Sequence, residues 1–119
     1  MKPNKELLRK TMNYIIEHPE EHNQDAWHCG SAHCFAGIGQ ILAGFKESDF
    51  DIGPQMAEAF GIRGFVADYL FSGRRTKPEL RRAVKMLLED ELDDECKDRA
   101  GKPLRVYPRL PESNDLELL

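Results

Sequence analysis

Apolar residues recur every three or four positions through most of this chain, which is the pattern of amphipathic helices. The first stripe consists of Leu8, Met12, Ile15 and Ile16. It predicts a helix over residues 4–17, which Pro19 ends because the residue before a proline avoids helical backbone angles. The polar loop that follows closes on Trp27, which we expect to anchor the loop on the core.

A second helix is predicted from Ser31, a good N-cap residue, to about Phe45. Small residues cover much of its surface, namely Ala32, Ala36, Gly37, Gly39, Ala43 and Gly44. A glycine inside a helix costs about 1 kcal/mol relative to alanine, so the glycines of this helix require a structural explanation. Close packing supplies one, because bare surfaces let helices approach nearer than their usual spacing of about 8–10 Å. We therefore expect this Gly/Ala-rich helix to be the buried centre of the molecule.

The second half of the chain predicts three more helices. Residues 56–60 and 63–71 form two short ones, each followed by a glycine-containing break. Thr76 and Glu79 have the spacing of a capping box, and the helix they begin continues to about Asp94. The pattern predicts an all-α fold, with a single compact domain of about five helices around the Gly/Ala-rich helix.

Beyond residue 95 the helical periodicity disappears, and prolines stand at positions 103, 108 and 111. Such a segment favours an extended backbone. We therefore divide the chain into a helical domain, residues 1–95, and an extended, proline-containing C-terminal arm, residues 96–119, with a mobile end.

The composition is ordinary for a soluble globular protein, with 40% apolar and 32% charged residues among 119. There is no apolar run of transmembrane length and no signal-peptide pattern, so we expect a cytoplasmic protein without membrane contact. The net charge of −4 gives no general attraction to nucleic acid. Three cysteines in a reducing compartment favour thiols or metal ligands over a disulfide scaffold.

All four histidines and two of the three cysteines fall within residues 18–34. The candidate zinc ligands are His18, His22, Cys29 and Cys34, with His28 and His33 as substitutes. They would give a tetrahedral zinc ion two imidazoles and two thiolates, although their spacing matches no standard finger, knuckle or ribbon. Zinc is therefore an alternative, beside a Cys29–Cys34 redox pair. The favoured interpretation is that Cys34 is a small buried hydrophobe and that Cys29 anchors a turn at Gly30.

A catalytic thiol is a weaker interpretation of the same segment. Cys34 would lie near a helix N-terminus, where the dipole stabilises a thiolate. The run CGSAHCFA is similar to the segment around the nucleophile of papain-like proteases. In those enzymes the base histidine follows the cysteine, whereas no histidine follows Cys34 here. We therefore expect a protein without enzymatic activity.

Residues 56–85 suggest a second alternative, a helix-turn-helix-like nucleic-acid binder. Its second helix would expose Arg63, Gly64, Phe65, Asp68 and Tyr69. This is a poor set for contacting bases, so nucleic acid is not favoured. The last helix begins with six cations and ends with acids, which opposes the helix dipole. This order is either the result of drift or a surface for an acidic partner. The residues that we expect to bind a partner are Arg74, Arg75, Arg81, Arg82 and Tyr107.

Residues 14–72 resemble a family of small uncharacterised proteins of bacteria and their phages. The resemblance rests on IIEHPEEHNQDAW followed by CGSAHCFAGIGQILAG, since the family shows His-Pro-Glu, then Trp, then Cys-Gly-Ser/Thr-x-x-Cys-x-Ala-Gly. Ile38 stands where the family often has Trp. The resemblance implies a compact helical fold in a bacterial or phage setting, and it implies no activity, cofactor or catalytic residue. We expect a small non-enzymatic accessory factor that acts by binding a protein partner and uses no cofactor.

Overall fold

The computed structural model describes residues 2–29, 32–48 and 50–119. The apolar stripes of these residues form five α-helices, and the predicted all-α class is confirmed. The helices are α1 Lys5–Glu17, α2 Phe35–Leu42, α3 Ile52–Phe60, α4 Phe65–Phe71 and α5 Lys77–Leu88. Two short strands, β1 His28–Cys29 and β2 Ala32–His33, pair antiparallel just before α2. Single 3₁₀ turns occupy Pro19–Glu21 and Leu104–Val106.

Helix α2 lies at the centre, and six of its eight residues are buried. Helices α1, α3 and α4 pack against it. A Cβ atom added at Gly37 would lie 1.9 Å from the backbone oxygen of Trp27, and one at Gly39 would lie 2.3 Å from Cζ of Phe60. The two glycines therefore permit the close approach that the small face predicts, one to a loop and one to α3.

Helix α2 is shorter than predicted at both ends. It begins at Phe35 rather than Ser31, because the two residues before position 34 belong to β2. Cys34 is its N-cap, and the Cys34 Sγ atom accepts a hydrogen bond from the backbone N–H of Gly37 at 3.4 Å. The predicted cap Ser31 and the predicted turn at Gly30 lie outside the described residues.

The bounds of α3 and α5 also differ from the predicted ones. Helix α3 begins at Ile52, four residues earlier than expected. Helix α5 ends at Leu88 rather than near Asp94, because Asp90 takes a left-handed backbone with φ of +57° and turns the chain away. The acidic residues beyond position 89 therefore lie outside α5. Glu89, the C-cap, still places a carboxylate at the negative end of the helix dipole.

The predicted capping box at the start of α5 is present, with Thr76 and Glu79 exchanging both hydrogen bonds. The same turn holds the C-terminal arm, since the Thr76 hydroxyl donates to the Leu110 carbonyl at 2.9 Å. At the far end of the arm, Asn13 of α1 pairs with Leu119, accepting from its backbone N–H at 2.7 Å and donating to its carbonyl at 3.2 Å. These contacts attach the arm to α1 and α5. The division of the chain into a helical domain and an arm at residue 95 stays a prediction.

The longest helix, α1, has 13 residues. None of the helices in the described ranges combines the length and the apolar character needed to cross a bilayer.

Candidate functional site

The β1–β2 ladder places two histidine side chains next to each other. His28 and His33 are directly opposed in its register, and opposed residues of an antiparallel pair project from the same face. Their Nδ1 atoms lie 2.7 Å apart, and only 9% and 10% of the two side chains is exposed. Glu47, in the loop after α2, brings its Oε1 atom to 3.3 Å from Nδ1 of His28 and 4.0 Å from Nδ1 of His33. Two imidazoles and a carboxylate thus converge at one point.

A buried glutamine of α2 fixes the orientation of the first imidazole. Oε1 of Gln40 accepts from the backbone N–H of Ser48 at 3.1 Å, and Nε2 of Gln40 donates to Oε1 of Gln55 at 2.8 Å. These two bonds settle which end of the amide is the oxygen. Nε2 of His28 lies 2.8 Å from that oxygen and therefore carries a proton that it donates. In the neutral ring, Nδ1 of His28 is then the lone-pair nitrogen facing the site.

The surroundings of the second imidazole disfavour its protonation. Burial lowers the pKa of His33, and the neighbouring His28 lowers it further, while the carboxylate of Glu47 opposes the shift. Glu47 itself has 52% of its side chain exposed, so the site meets solvent on the carboxylate side. The two rings stand nearly perpendicular, at 76°.

With both imidazoles neutral, the two Nδ1 atoms and the carboxylate oxygen that face one another have more hydrogen-bond acceptors than donors. When His28 is neutral, its Nδ1 atom presents a lone pair to the carboxylate of Glu47, and neither atom can donate to the other. His33 can supply one proton to the 2.7 Å contact with His28, which leaves Glu47 facing an acceptor. A cation placed among the three atoms would resolve this conflict. The arrangement can therefore hold either an additional proton or a metal ion.

The structure also places the histidines and cysteines of the predicted ligand set. His18 is half-exposed and lies 3.5 Å from the carboxylate of Glu21. Nε2 of His22 makes a 2.8 Å hydrogen bond with Oε1 of Gln24, and Cys34 is buried at the start of α2. Among the described side chains, His18, His22 and Cys34 do not converge as a group of ligands. The side chain of Cys29 is outside that description, so the four-ligand set stays a prediction, while both substitutes enter the His28–His33–Glu47 group.

A second group of ligand atoms surrounds His18. Together with Glu20 and Glu21 it brings an imidazole and two carboxylates within 4.8 Å of one another. All three side chains are substantially exposed, and none has a buried hydrogen-bond partner comparable to Gln40. This group provides a useful internal comparison for the buried one.

A second buried glutamine holds the histidine-bearing loop in place. Nε2 of Gln24 donates to the carbonyls of Leu70 and Ser72, at 2.8 and 3.0 Å. Its Oε1 atom accepts from the backbone N–H of Phe35 at 3.2 Å. The loop is thereby attached both to the end of α4 and to the start of α2, on which the site is built.

The basic residues predicted to bind a partner make contacts within the chain. Arg81 donates to the Glu117 carbonyl at 2.7 Å, and Arg82 donates to the Pro108 carbonyl at 2.9 Å. The carbonyl of Arg74 accepts from the arm residue Arg109 at 2.7 Å. The other two make ring contacts: Arg75 stacks on Tyr69, and Tyr107 lies under Arg82 and donates to Asp98. Their role toward a partner stays a prediction.

Tyr69 differs from its expected place in the helix-turn-helix-like segment. It was expected on the exposed face of the second helix, yet it is buried, with 6% of its surface exposed. Arg63 is exposed but pairs with Asp94 at 3.6 Å. Tyr69 is therefore not exposed to contact a nucleic acid, as the helix-turn-helix-like interpretation requires.

Sequence reasoning missed Glu47, Gln40 and Gln55. Gln40 carried a usable signal, because a lone amide among apolar and small residues in a buried helix must find hydrogen-bond partners. Glu47 carried none, since a charged residue in a polar loop is ordinary.

Comparison with protein-family models, with curated proteins and with solved structures finds no match to this chain.

Proposed function

We propose that the protein binds a divalent transition-metal ion, zinc being the best fit, through His28, His33 and Glu47. The observation that carries the proposal is the convergence of two imidazole nitrogens and one carboxylate oxygen within 4.8 Å of one another. Neutral imidazole is a preferred donor for zinc, whereas magnesium and calcium prefer oxygen donors throughout.

The distances require only a small adjustment. Zinc–nitrogen bonds are about 2.0–2.1 Å long, so two imidazole nitrogens on a tetrahedral ion lie about 3.3 Å apart. The two Nδ1 atoms are 2.7 Å apart without an ion, so they would have to separate by about 0.6 Å. Both sit on a two-residue ladder, where a small rotation of each ring supplies that change.

The buried amides supply the outer contacts that a metal-binding histidine needs. Such a histidine donates its other N–H group to an oxygen, which fixes its tautomer and makes it a better ligand. Gln40 provides that oxygen for His28, and Gln55 and Ser48 fix the amide in turn. Three protein ligands leave a fourth position, on the solvent side of Glu47, for water or a small ligand.

The test is a zinc titration of full-length, tag-free protein by calorimetry, with elemental analysis after dialysis. We expect about one equivalent in the wild type, no stoichiometric binding in His28→Gln, and affinity lowered about 10–100-fold in Gln40→Leu, which removes the supporting oxygen. His18→Gln is the matched control, since it removes a histidine from the exposed group, and we expect it to bind as the wild type does.

Two outcomes would overturn the proposal. One is less than about a tenth of an equivalent bound by correctly folded wild-type protein. The other is loss of binding in His18→Gln while His28→Gln still binds. Circular dichroism of each variant verifies that a loss of binding is not a loss of fold.

The sequence also suggested an accessory function through a protein partner, and this stays a separate proposal. Its support is the exposed apolar surface around the loop that carries Glu47. Phe50 has 82% of its surface exposed, and Ile41 and Phe45 have 42% and 41%. Three of the four candidate arginines, Arg74, Arg81 and Arg82, give it little support, because they hold the chain's own arm.

A further inference from the structure

A cleft of about 400 Å³ opens between α4 and the segment that follows α5. This volume is in the range of small-molecule sites. Its lining includes Phe65, Tyr69, Arg75, Cys96, Lys97 and Arg105. Tyr69 and Cys96 are buried and form an ordered wall, whereas Phe65 has 59% of its surface exposed. The cleft thus combines a fixed wall with an aromatic ring at its edge.

Arg75 is the central group in this cleft. Its guanidinium stacks on the ring of Tyr69 at 4.1 Å, and its Nη1 atom lies 3.8 Å from the buried carboxylate of Glu79. That separation is too long for a hydrogen bond. Within the described ranges, no protein group accepts a hydrogen bond from this guanidinium, although only 15% of the side chain is exposed. A buried cation is normally hydrogen-bonded, so this one has donors available to a ligand.

The other charges of the cleft leave an excess of positive charge. Lys97 pairs with Glu95 at 2.6 Å, so these two lining residues largely neutralise each other. Arg105 is exposed and makes no ion pair among the described residues, and Asp68 is the remaining acid on the lining. Arg75 also faces Glu79, but that carboxylate is shared with Arg109. Three arginines, Arg75, Arg105 and Arg109, thus stand against the two acids Asp68 and Glu79, in a protein whose net charge is −4. A locally basic cleft in an acidic protein selects an anion.

We propose that this cleft binds a small organic anion in which a carboxylate is attached to a flat apolar ring. The planar guanidinium of Arg75 matches a carboxylate through two parallel hydrogen bonds, which a lysine cannot reproduce. Arg105 adds charge at the entrance, and the ring packs on Phe65. None of these residues belongs to the proposed metal site, so the failure of one proposal would not affect the other.

The experiment is a ¹H–¹⁵N NMR titration of the full-length protein at constant ionic strength. The probes are benzoate, its uncharged analogue benzamide, and inorganic phosphate. We expect benzoate to shift the Arg75 side-chain Nε–H signal and the amide signals around Phe65 and Cys96, with saturation and a Kd on the order of 1 mM. Benzamide and phosphate should each bind at least about fivefold more weakly, because one lacks the charge and the other the ring.

Two variants and a control sharpen the test. Arg75→Lys keeps the charge but removes the planar fork, and Arg105→Gln removes the second cation; each should weaken benzoate binding at least about fivefold. Arg99→Gln removes an exposed arginine outside the cleft and should leave the Kd unchanged. If Arg75→Lys does not fold, Arg105→Gln still decides.

The proposal is overturned by any of three results. They are no saturable shift with benzoate up to about 20 mM, equal binding of benzamide or phosphate, and wild-type affinity in every variant that folds.

Discussion

A backbone oxygen occupies the place where any side chain at position 37 would begin. The oxygen belongs to Trp27, and it lies 1.9 Å from the position of an added Cβ. A backbone atom cannot rotate away as a side chain can, so the contact fixes the loop that carries the histidines against α2. The same helix meets α3 through Gly39, where the obstacle is the ring of Phe60 at 2.3 Å. Glycine is thus required at both positions for packing, and the helix forms despite their low helical propensity.

These contacts predict a graded series of glycine substitutions. Gly37→Ala should lower the free energy of unfolding by roughly 3 kcal/mol, because the Trp27 backbone must shift. Gly39→Ala should cost about 1–3 kcal/mol, since the Phe60 ring can move in part. Gly53→Ala is the control in α3, where the nearest atom outside the adjoining residues lies 4.0 Å away. Alanine has the higher helical propensity, but Pro54 disfavours a Cβ atom on a helical residue before it, so the stability should change by less than about 1 kcal/mol. Urea unfolding measures all three, and equal stability of Gly37→Ala and wild type would contradict the packing argument.

The small face could be predicted at the residue level, because glycines at helical spacing among buried apolar residues indicate a close helix contact. The histidine site could not. Positions 33, 40 and 47 are seven residues apart, but they lie on a strand, a helix and a loop, so no helical period links them, and position 28 departs from the spacing. The four meet only because a two-residue ladder and a loop bring them together. The sequence analysis placed His28 and His33 behind His18, His22 and Cys34, which do not converge among the described side chains.

At the scale of elements, the start of α5 is built around one fully buried carboxylate. Glu79 has no exposed side-chain surface; it accepts from Thr76 within the capping box and from Nε of Arg109 at 2.7 Å. It therefore caps the helix and holds the arm with the same group. The box itself was predictable from the spacing of Thr76 and Glu79. Its second role was not, because Arg109 lies 30 positions away in a segment without periodicity.

This carboxylate predicts a pH-dependent part of the stability. Burial alone would raise the pKa of Glu79, but the hydrogen bonds from Thr76 and Arg109 and the positive charge of Arg109 and Arg75 outweigh it, and the pKa is lowered. The unfolded chain therefore binds this proton at a higher pH than the folded one does. The contribution is complete above the unfolded-state value of about 4.3 and is lost as the pH falls through the lower folded-state pKa.

Unfolding in urea at several pH values measures this pH-dependent contribution of Glu79 to the free energy of unfolding. Glu79→Gln should be less stable by about 2 kcal/mol at pH 7, because a charge-assisted hydrogen bond is lost. It should also lose less stability than the wild type between about pH 5 and 3. Glu58→Gln, at an exposed position of α3, serves as the control and should follow the wild type. Parallel pH profiles for Glu79→Gln and wild type would contradict the assignment.

At the scale of the whole molecule, the arm completes the surface of the helical body. Leu104 is buried with 1% of its surface exposed, and the polar contacts continue from Arg109 to Leu119. The all-α class could be predicted from the periodicity of apolar residues, because a helix that buries one face shows such a period in its sequence. The position of the arm depends on single polar contacts with partners far away in sequence, and no local pattern encodes those.

Removing the last residues should therefore weaken the whole molecule. Deletion of residues 109–119 takes away the hydrogen bonds to Glu79, Arg81 and Asn13, each worth about 1 kcal/mol net. We expect the free energy of unfolding to fall by roughly 2–4 kcal/mol, measured in urea. Asn13→Ala should reproduce about 1 kcal/mol of it, and Lys10→Ala, at an exposed position of the same helix, almost none. A deletion variant as stable as the full chain would show that the arm adds nothing to the fold.

The pairing of Asn13 with Leu119 joins positions 106 residues apart in the chain. The His28–His33 contact, by comparison, closes a separation of five. Loop-closure entropy grows with length, so the long-range pair is the more expensive one to form from a disordered chain. The helices and the hairpin should accordingly assemble first, and the arm should dock onto a finished body. On opening, the backbone amides of residues 109–119 should be the first to exchange their hydrogens, through motions that leave both the histidine site and α2 intact.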